Sequence, residues 1–275
     1  MLLTSGALLA ACATPADEAP QVETTTSSAS NGSVEIEDNE GVKTVPAAPE
    51  RVVAQDARSR ELLEALGVEV QDPGGDADLV VAGTADGAAA ERPDGMFVDL
   101  TPRDGIPLDW EIVRQVQVLG KIFVKEDEAA ELDKEFSEAR GRAIEARSEK
   151  WTFSALTVNG TEVAVQPADG DALWRPLFEM LELTPALKPE DPADILALVK
   201  AKPRFIFVNE VQKDLSAEGY IPPMRVLVGN DELKKLDPVE GGRVYVAPLN
   251  AQDTASAITY TRMFNELADQ WKNLD

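Results

Sequence analysis

The sequence predicts an α/β protein built as two lobes joined by a single long helix. Three observations predict it. Short apolar runs bounded by Gly, Pro and Asp recur in both halves of the chain and alternate with helical stretches, the pattern of parallel strands covered on both faces. Between the halves, residues 126–150 carry apolar side chains at helical spacing on an otherwise charged segment. The 275 residues suit one large domain or two small ones, their 44% hydrophobic content is enough for ordinary globular cores, and a single cysteine excludes a disulfide-stapled fold.

The chain opens on an apolar run, residues 2–10, that leads through Leu9-Ala10-Ala11 to Cys12. This is the layout of a secretory h-region with its cleavage site, and it resembles the lipobox of bacterial lipoproteins. It predicts a signal peptide over residues 1–11 and Cys12 as the lipid-bearing first residue of the mature chain. The protein would then be exported and anchored by lipid to the outer face of the cell membrane. No Lys or Arg precedes the run, which leaves open a start upstream of Met1. Residues 13–32, rich in Thr, Ser, Ala, Pro and acidic side chains, have little to bury and complete a flexible tether over residues 12–32.

The first lobe is expected over residues 33–125. Val34-Glu35-Ile36-Glu37 alternates, Asp38-Asn39-Glu40-Gly41 is turn chemistry, and Val42 to Val45 returns, which makes a hairpin. Arg51-Val52-Val53-Ala54 reads as a buried strand. Residues 59–66 follow as a helix with Leu62, Leu63 and Leu66 on one side and Gly67 as its stop. Residues 68–70, 79–82 and 96–99 are parallel-strand candidates. Residues 109–119 predict a helix ending at Gly120.

The bridging helix is expected over residues 126–150, with Ala129, Leu132, Phe136, Ala139, Ala143 and Ile144 as its stripe. It would span roughly 35 Å. Gly141 inside it costs ~1 kcal/mol relative to Ala. The second lobe, residues 151–275, restarts the alternation. Strands are expected at 152–158, 162–166, 204–208 and 243–246, and helices at 173–183, 192–201 and 255–271.

Composition removes several function classes. Asp and Glu outnumber Lys and Arg 50 to 26, a net charge of −24 that repels nucleic acid and anionic head groups. There is no histidine, which removes most zinc sites, His-ligated haem and every His-based triad. No nucleophile elbow, P-loop or dinucleotide fingerprint is present, so neither an enzyme nor a resident cofactor is expected. Asp72, Asp76 and Asp78 cluster around Gly74-Gly75 but lack the ligand order of a calcium loop, and turn chemistry accounts for them.

The stretch Asp38-Asn39-Glu40-Gly41-Val42-Lys43-Thr44-Val45-Pro46, followed by Pro49-Glu50-Arg51-Val52-Val53, resembles the opening of class III solute-binding proteins. These are the iron-siderophore and cobalamin binding lipoproteins of ABC importers. Glu61-Leu62-Leu63 with Leu66-Gly67-Val68 fits the same pattern. So do Lys202-Pro203-Arg204-Phe205-Ile206-Phe207-Val208 and the late stretch from Leu236 through Val239 to Gly242-Arg243-Val244-Tyr245-Val246. The resemblance implies a periplasmic-binding-protein-like fold: two Rossmann-like lobes, one rigid helix between them, a ligand in the cleft, and an ABC permease as partner. It also implies one docking carboxylate per lobe. The second lobe offers Glu190, Asp191 and Asp194; residues 69–78 are too short to carry the helix that supplies the first.

Ligands of open α/β sheets bind beyond the carboxyl ends of the strands. The loops there, residues 55–59, 100–109, 167–175 and 209–223, bring Arg58, Arg103, Trp110, Trp174, Arg175 and Tyr220, with Arg225 just beyond. Guanidinium forks pair with anionic ferric complexes, and aromatic faces pack on flat ligand rings. The Trp174-Arg175 pair, at a helix start facing the cleft, is the foremost candidate, with a core position as the alternative for Trp174; Tyr220 is also weighed as a phenolate ligand. Two functions remain open: an extracytoplasmic lipoprotein that captures a ferric siderophore or similar bulky chelate for an ABC importer, or an accessory lipoprotein that uses the same scaffold as a subunit of an envelope or membrane complex.

Overall fold

The computed structural model describes residues 32–72, 76–91, 93–167, 170, 173–211, 214–216 and 218–274. The expected signal peptide, Cys12 and nearly all of the expected tether lie outside these residues. Asn31–Asp275 form one compact unit.

A hairpin comes first, β1 (Ser33–Asp38) antiparallel to β2 (Gly41–Pro46). Its buried Ile36 and Val45 belong to the main core. Next, β3 (Val52–Ala54), β4 (Val70–Gln71), β5 (Leu79–Ala82) and β6 (Met96–Asp99) form a parallel sheet in the order β4-β3-β5-β6. All four residues of β5 are buried, and the strand's two-residue period divides them between two faces. Leu79 and Val81 enter the main core, while Val80 and Ala82 pack with Val53, Ala77 and Phe97. Helix α1 (Ala57–Ala65) follows β3 and is capped by Asp56, whose carboxylate accepts from Ser59 N at 2.8 Å. The same carboxylate accepts from Gly83 N and Thr84 N at 2.7 and 3.1 Å, so one side chain fixes the loops after β3 and β5. The short α2 (Ala85–Ala89) leads on to β6.

Helix α3 (Leu108–Phe123) runs through Gly120 instead of ending there. A Cβ on Gly120 would lie 2.5 Å from the Ala129 Cβ, so this glycine serves close packing of two helices. The stop falls at Val124, in the left-handed region at φ 54°. Helix α4 (Glu126–Ala146) then runs unbroken for 21 residues, the long helix the sequence predicts, though it ends at Ala146 where the sequence predicts residue 150. Its buried face, Ala129, Phe136, Ala139 and Ala143, packs along the last helix, with the Phe136 and Phe264 rings 5.7 Å apart.

The second sheet has the order β11-β10-β7-β8, from β7 (Thr152–Asn159), β8 (Glu162–Gln166), β10 (Phe205–Glu210) and β11 (Val244–Val246). Of these only β8 is antiparallel, and β9 (Thr184–Pro185) pairs with the start of β7. The helices of this half are α5 (Trp174–Met180), α6 (Ile195–Ala201), α7 (Pro223–Gly229), α8 (Asp237–Glu240), α9 (Ala251–Thr254) and α10 (Ala257–Lys272). The strand β10 repeats the logic of β5. Phe205 and Phe207 meet the Trp174, Trp271 and Tyr245 rings on one face, and Ile206 and Val208 pack with Leu198, Leu227 and Leu236 on the other.

The main core runs without interruption from Val52 and Leu79 in the first sheet, through α3, α4 and α10, to Phe153 and Phe205 in the second. The two lobes are therefore joined by more than a rod, and α3 and α10 share the junction with α4.

Candidate functional site

The candidate site is a groove around the first turn of α3. One part, about 550 Å3, lies between residues 105–110 and the α5 residues Arg175, Pro176 and Glu179, with Arg140 of α4 beside them. A second part, about 750 Å3, lies where α3 and α4 diverge, with Val113, Phe136, Gly141 and Ile144 among its walls. Ile106, Asp109, Trp110 and Arg140 line both parts. Both volumes fall in the range of small-molecule sites, roughly 300–1,000 Å3.

The groove exists because α3 and α4 are tight at one end and splayed at the other. Gly120 lets the helices touch at Ala129. Further along, Gln117 Nε2 donates to Asp133 at 3.0 Å, and burial raises the Asp133 pKa against that hydrogen bond. At the open end Arg140 donates through Nε to the Met180 carbonyl at 2.8 Å and reaches Asp109 at 3.3 Å. One side chain on the bridging helix thus holds the start of α3 and the end of α5.

The groove collects arginines in an otherwise acidic protein. Arg103, Arg114, Arg140 and Arg175 line it, against Asp109 and Glu179. Arg103 and Arg114 are organised by Glu111, which is fully buried on α3. Arg103 Nε donates to one carboxylate oxygen at 2.8 Å and Arg114 Nε to the other at 2.8 Å. Burial pushes the Glu111 pKa up, but the hydrogen bonds from both guanidiniums outweigh it and hold the group below its ordinary value. Arg175 is exposed and has no carboxylate partner among the described residues. Trp110 stands at the rim with 72% of its surface exposed.

Of the residues expected at the site, the structure brings together Arg103, Trp110 and Arg175. Trp174 is 1% exposed, with its ring 5.2 Å from Phe207, so it belongs to the core and offers no face to a ligand. Arg58 is also buried, its Nε donating to the Thr254 carbonyl at 3.0 Å, so it links α1 to α9 instead of facing a cleft. Tyr220 donates its hydroxyl to Glu210 at 3.0 Å. Burial and that carboxylate raise its pKa, which disfavours the phenolate a metal would need. Arg225 lies exposed on α7 and lines neither part of the groove. Among the docking candidates, Asp194 caps α6 by accepting from Ala197 N at 2.7 Å, and Asp191 accepts from Lys188 N at 2.8 Å. Asp78 is bound to Arg51 at 2.6 Å, and among the described residues no acidic cluster is arranged to hold a metal. No described helix is long and apolar enough to cross a membrane.

Sequence reasoning missed Glu111, Arg114 and Arg140 and read Gly141 only as a cost to its helix; for the last two the signal was a glycine between two arginines inside a helix, Arg140-Gly141-Arg142.

No known protein-family pattern matches the chain, and no curated protein matches it. Solved structures do. The petrobactin-binding protein YclQ of Bacillus subtilis is 16% identical with a TM-score of 0.68, covering 88% of this chain and 99% of its own. A TroA-like periplasmic binding protein of Xylanimonas cellulosilytica is 20% identical with a TM-score of 0.67, covering 88% and 99%. The siderophore-binding protein BauB, solved with acinetobactin and ferric iron, is 16% identical with a TM-score of 0.72, covering 87% and 99%. The chain has the fold of these TroA-like periplasmic binding proteins, two α/β lobes joined by a long helix.

Proposed function

We propose that this chain is an extracytoplasmic solute-binding lipoprotein that captures a ferric siderophore or a similar bulky chelate and passes it to an ABC importer. In this reading residues 33–125 and 151–275 are the two lobes, Cys12 carries the anchor, and no chemistry is performed on the ligand. The observation that carries it is the meeting of Trp110, exposed and aromatic, with Arg175, exposed and without a carboxylate partner among the described residues, in one groove between α3 and α5. An anionic chelate presents flat rings and negative charge, the two features these side chains receive. Support comes also from the neighbours in fold, whose names include binding proteins for petrobactin and for a ferric acinetobactin complex. Glu190 is the docking carboxylate of choice for the importer, since Asp191 and Asp194 are engaged with backbone amides.

The test uses the protein's own reporter. Trp151, Trp174 and Trp271 are 7%, 1% and 0% exposed, so among the tryptophans only Trp110 can touch a bound chelate. Titration with ferri-bacillibactin and ferric acinetobactin should quench tryptophan emission, and Trp110→Phe should lower the apparent affinity, since the contact to the chelate is lost while the buried tryptophans still report by energy transfer. Equilibrium dialysis of the same complexes gives a count of bound iron that does not depend on fluorescence. Iron retained by neither complex would sink the reading.

The accessory-subunit reading is favoured by one observation: Arg58 and Glu61 fill the α1 side of the junction with contacts to Thr254, Ser256 and Thr259. Purification from membranes with an envelope complex and without a permease would support it.

A further inference from the structure

Gly141 sits inside α4, five residues before its end at Ala146, where glycine is an unfavourable helix residue, and the close packing that explains Gly120 is missing here. A Cβ at Gly141 would meet nothing within 4 Å. The space it would enter is the larger part of the groove, whose apolar walls are Val113, Phe136 and Ile144. Any side chain at this position would project into that space, so glycine leaves it open. The smaller part of the groove, which shares Asp109, Trp110 and Arg140 with it, is the polar end, with Arg175 opposite. The groove thus changes character along its length: a polar mouth at α5, where Arg140 and Arg175 stand with Asp109 and Glu179, leads into a part walled by Val113, Phe136 and Ile144 between α3 and α4, with Arg103 and Arg114 at its edge.

We infer that the ligand of this groove is an amphiphile: an iron chelate with a hydrocarbon tail, its anionic head at Arg175 and its tail between α3 and α4. The inference rests on the solute-binding reading and narrows it to a class of ligand. A compact, uniformly polar chelate would leave the apolar channel filled with water beside Phe136, Val113 and Ile144, which is the unfavourable arrangement. A tail displaces that water and uses the room left by Gly141. Arg140 is already engaged by Asp109 and the Met180 carbonyl, so Arg175, which has no carboxylate partner among the described residues, is the group that receives the anionic head.

The probe is 11-(dansylamino)undecanoate, an anionic amphiphile whose emission shifts to the blue in apolar surroundings, titrated into the full chain. The wild-type protein should bind it with a blue shift. Gly141→Leu, which fills the channel, should weaken binding by at least about tenfold. Arg175→Ala should weaken it severalfold by removing the charge at the head. Thermal unfolding of Gly141→Leu should match or exceed wild type, which separates a blocked channel from a misfolded chain. The inference is overturned if the wild type does not bind the probe, or if Gly141→Leu binds it unchanged. Ferri-bacillibactin, which has no tail, tests the underlying reading in parallel. Chelate bound with probe refused leaves the solute-binding reading standing without the tail channel. Probe bound in a Gly141-dependent manner with chelates refused leaves the amphiphile channel standing without the iron.

Discussion

The Arg58 guanidinium donates through Nε to the Thr254 carbonyl at 3.0 Å, a contact across 196 residues of chain that fastens α1 to α9. Its Nη1 reaches the Gly83 carbonyl at 3.4 Å, so the same side chain also braces the loop after β5. Three residues on, Glu61 accepts from the hydroxyls of Ser256 and Thr259 at the start of α10. The junction between the lobes is therefore pinned by a polar network on the α1 side and grooved at the first turn of α3.

Arg58→Ala removes a buried charge-assisted donor and leaves the Thr254 carbonyl without it. The expected loss is about 2–3 kcal/mol of stability, measured from the shift of the urea midpoint. A change within about 0.5 kcal/mol would show that water replaces the guanidinium at no cost and that the link does not hold the lobes.

The two helical glycines of the α3–α4 pair should respond in opposite directions to the same substitution. Gly120→Ala gains helix propensity but drives its methyl to 2.5 Å from the Ala129 Cβ, and should destabilise by about 1–2 kcal/mol net. Gly141→Ala meets open space and should stabilise by about 1 kcal/mol. Paired denaturation curves check both; equal signs would contradict the crossing geometry.

Glu111 ties pH to stability. Its folded pKa is depressed below the ordinary 4.5, so its contribution is present above that value and is lost as pH falls through the depressed one. Glu111→Gln should therefore be clearly less stable than wild type at pH 7. The gap should close between about pH 5 and pH 3. A gap that stays constant over that range would mean the two arginines do not depend on the Glu111 charge.

Asp133 carries the opposite sign. Burial raises its pKa, so its charge opposes folding above its folded pKa and stops doing so once it is protonated in acid. Asp133→Asn keeps a partner for the Gln117 amide, with one Asn oxygen accepting, and removes the charge. It should be as stable as wild type or more stable by up to about 1 kcal/mol at pH 7, with no advantage at low pH. Thermal unfolding at two pH values measures this.

Most elements of the fold can be read from local signals. The hairpin, the parallel strands and the long charged helix were legible because turn residues and apolar periodicity act within a few positions of each other. The uninterrupted apolar runs of β5 and β10 already implied sheets covered on both faces. The limits of helices were less legible. Gly120 carries the same letter as a helix stop, but its role is set by Ala129 across the helix pair. Helix α6 starts later than the residue pattern suggests because Asp194 caps it there.

The sequence by itself determined the α/β class, the order of the elements and the acidic character of the chain, since each depends on composition or on neighbours along the chain. It also marked Arg103, Trp110 and Arg175 as loop and helix-start residues at the strand ends. Only the tertiary structure decided that Trp174 and Arg58 are buried, that Arg140 and Gly141 of the bridging helix form the wall of a groove, and that Glu111 aims two arginines beside it. Burial and the meeting of α3, α4 and α5 depend on contacts between residues tens of positions apart, and no local pattern records which side of a helix a distant one will cover.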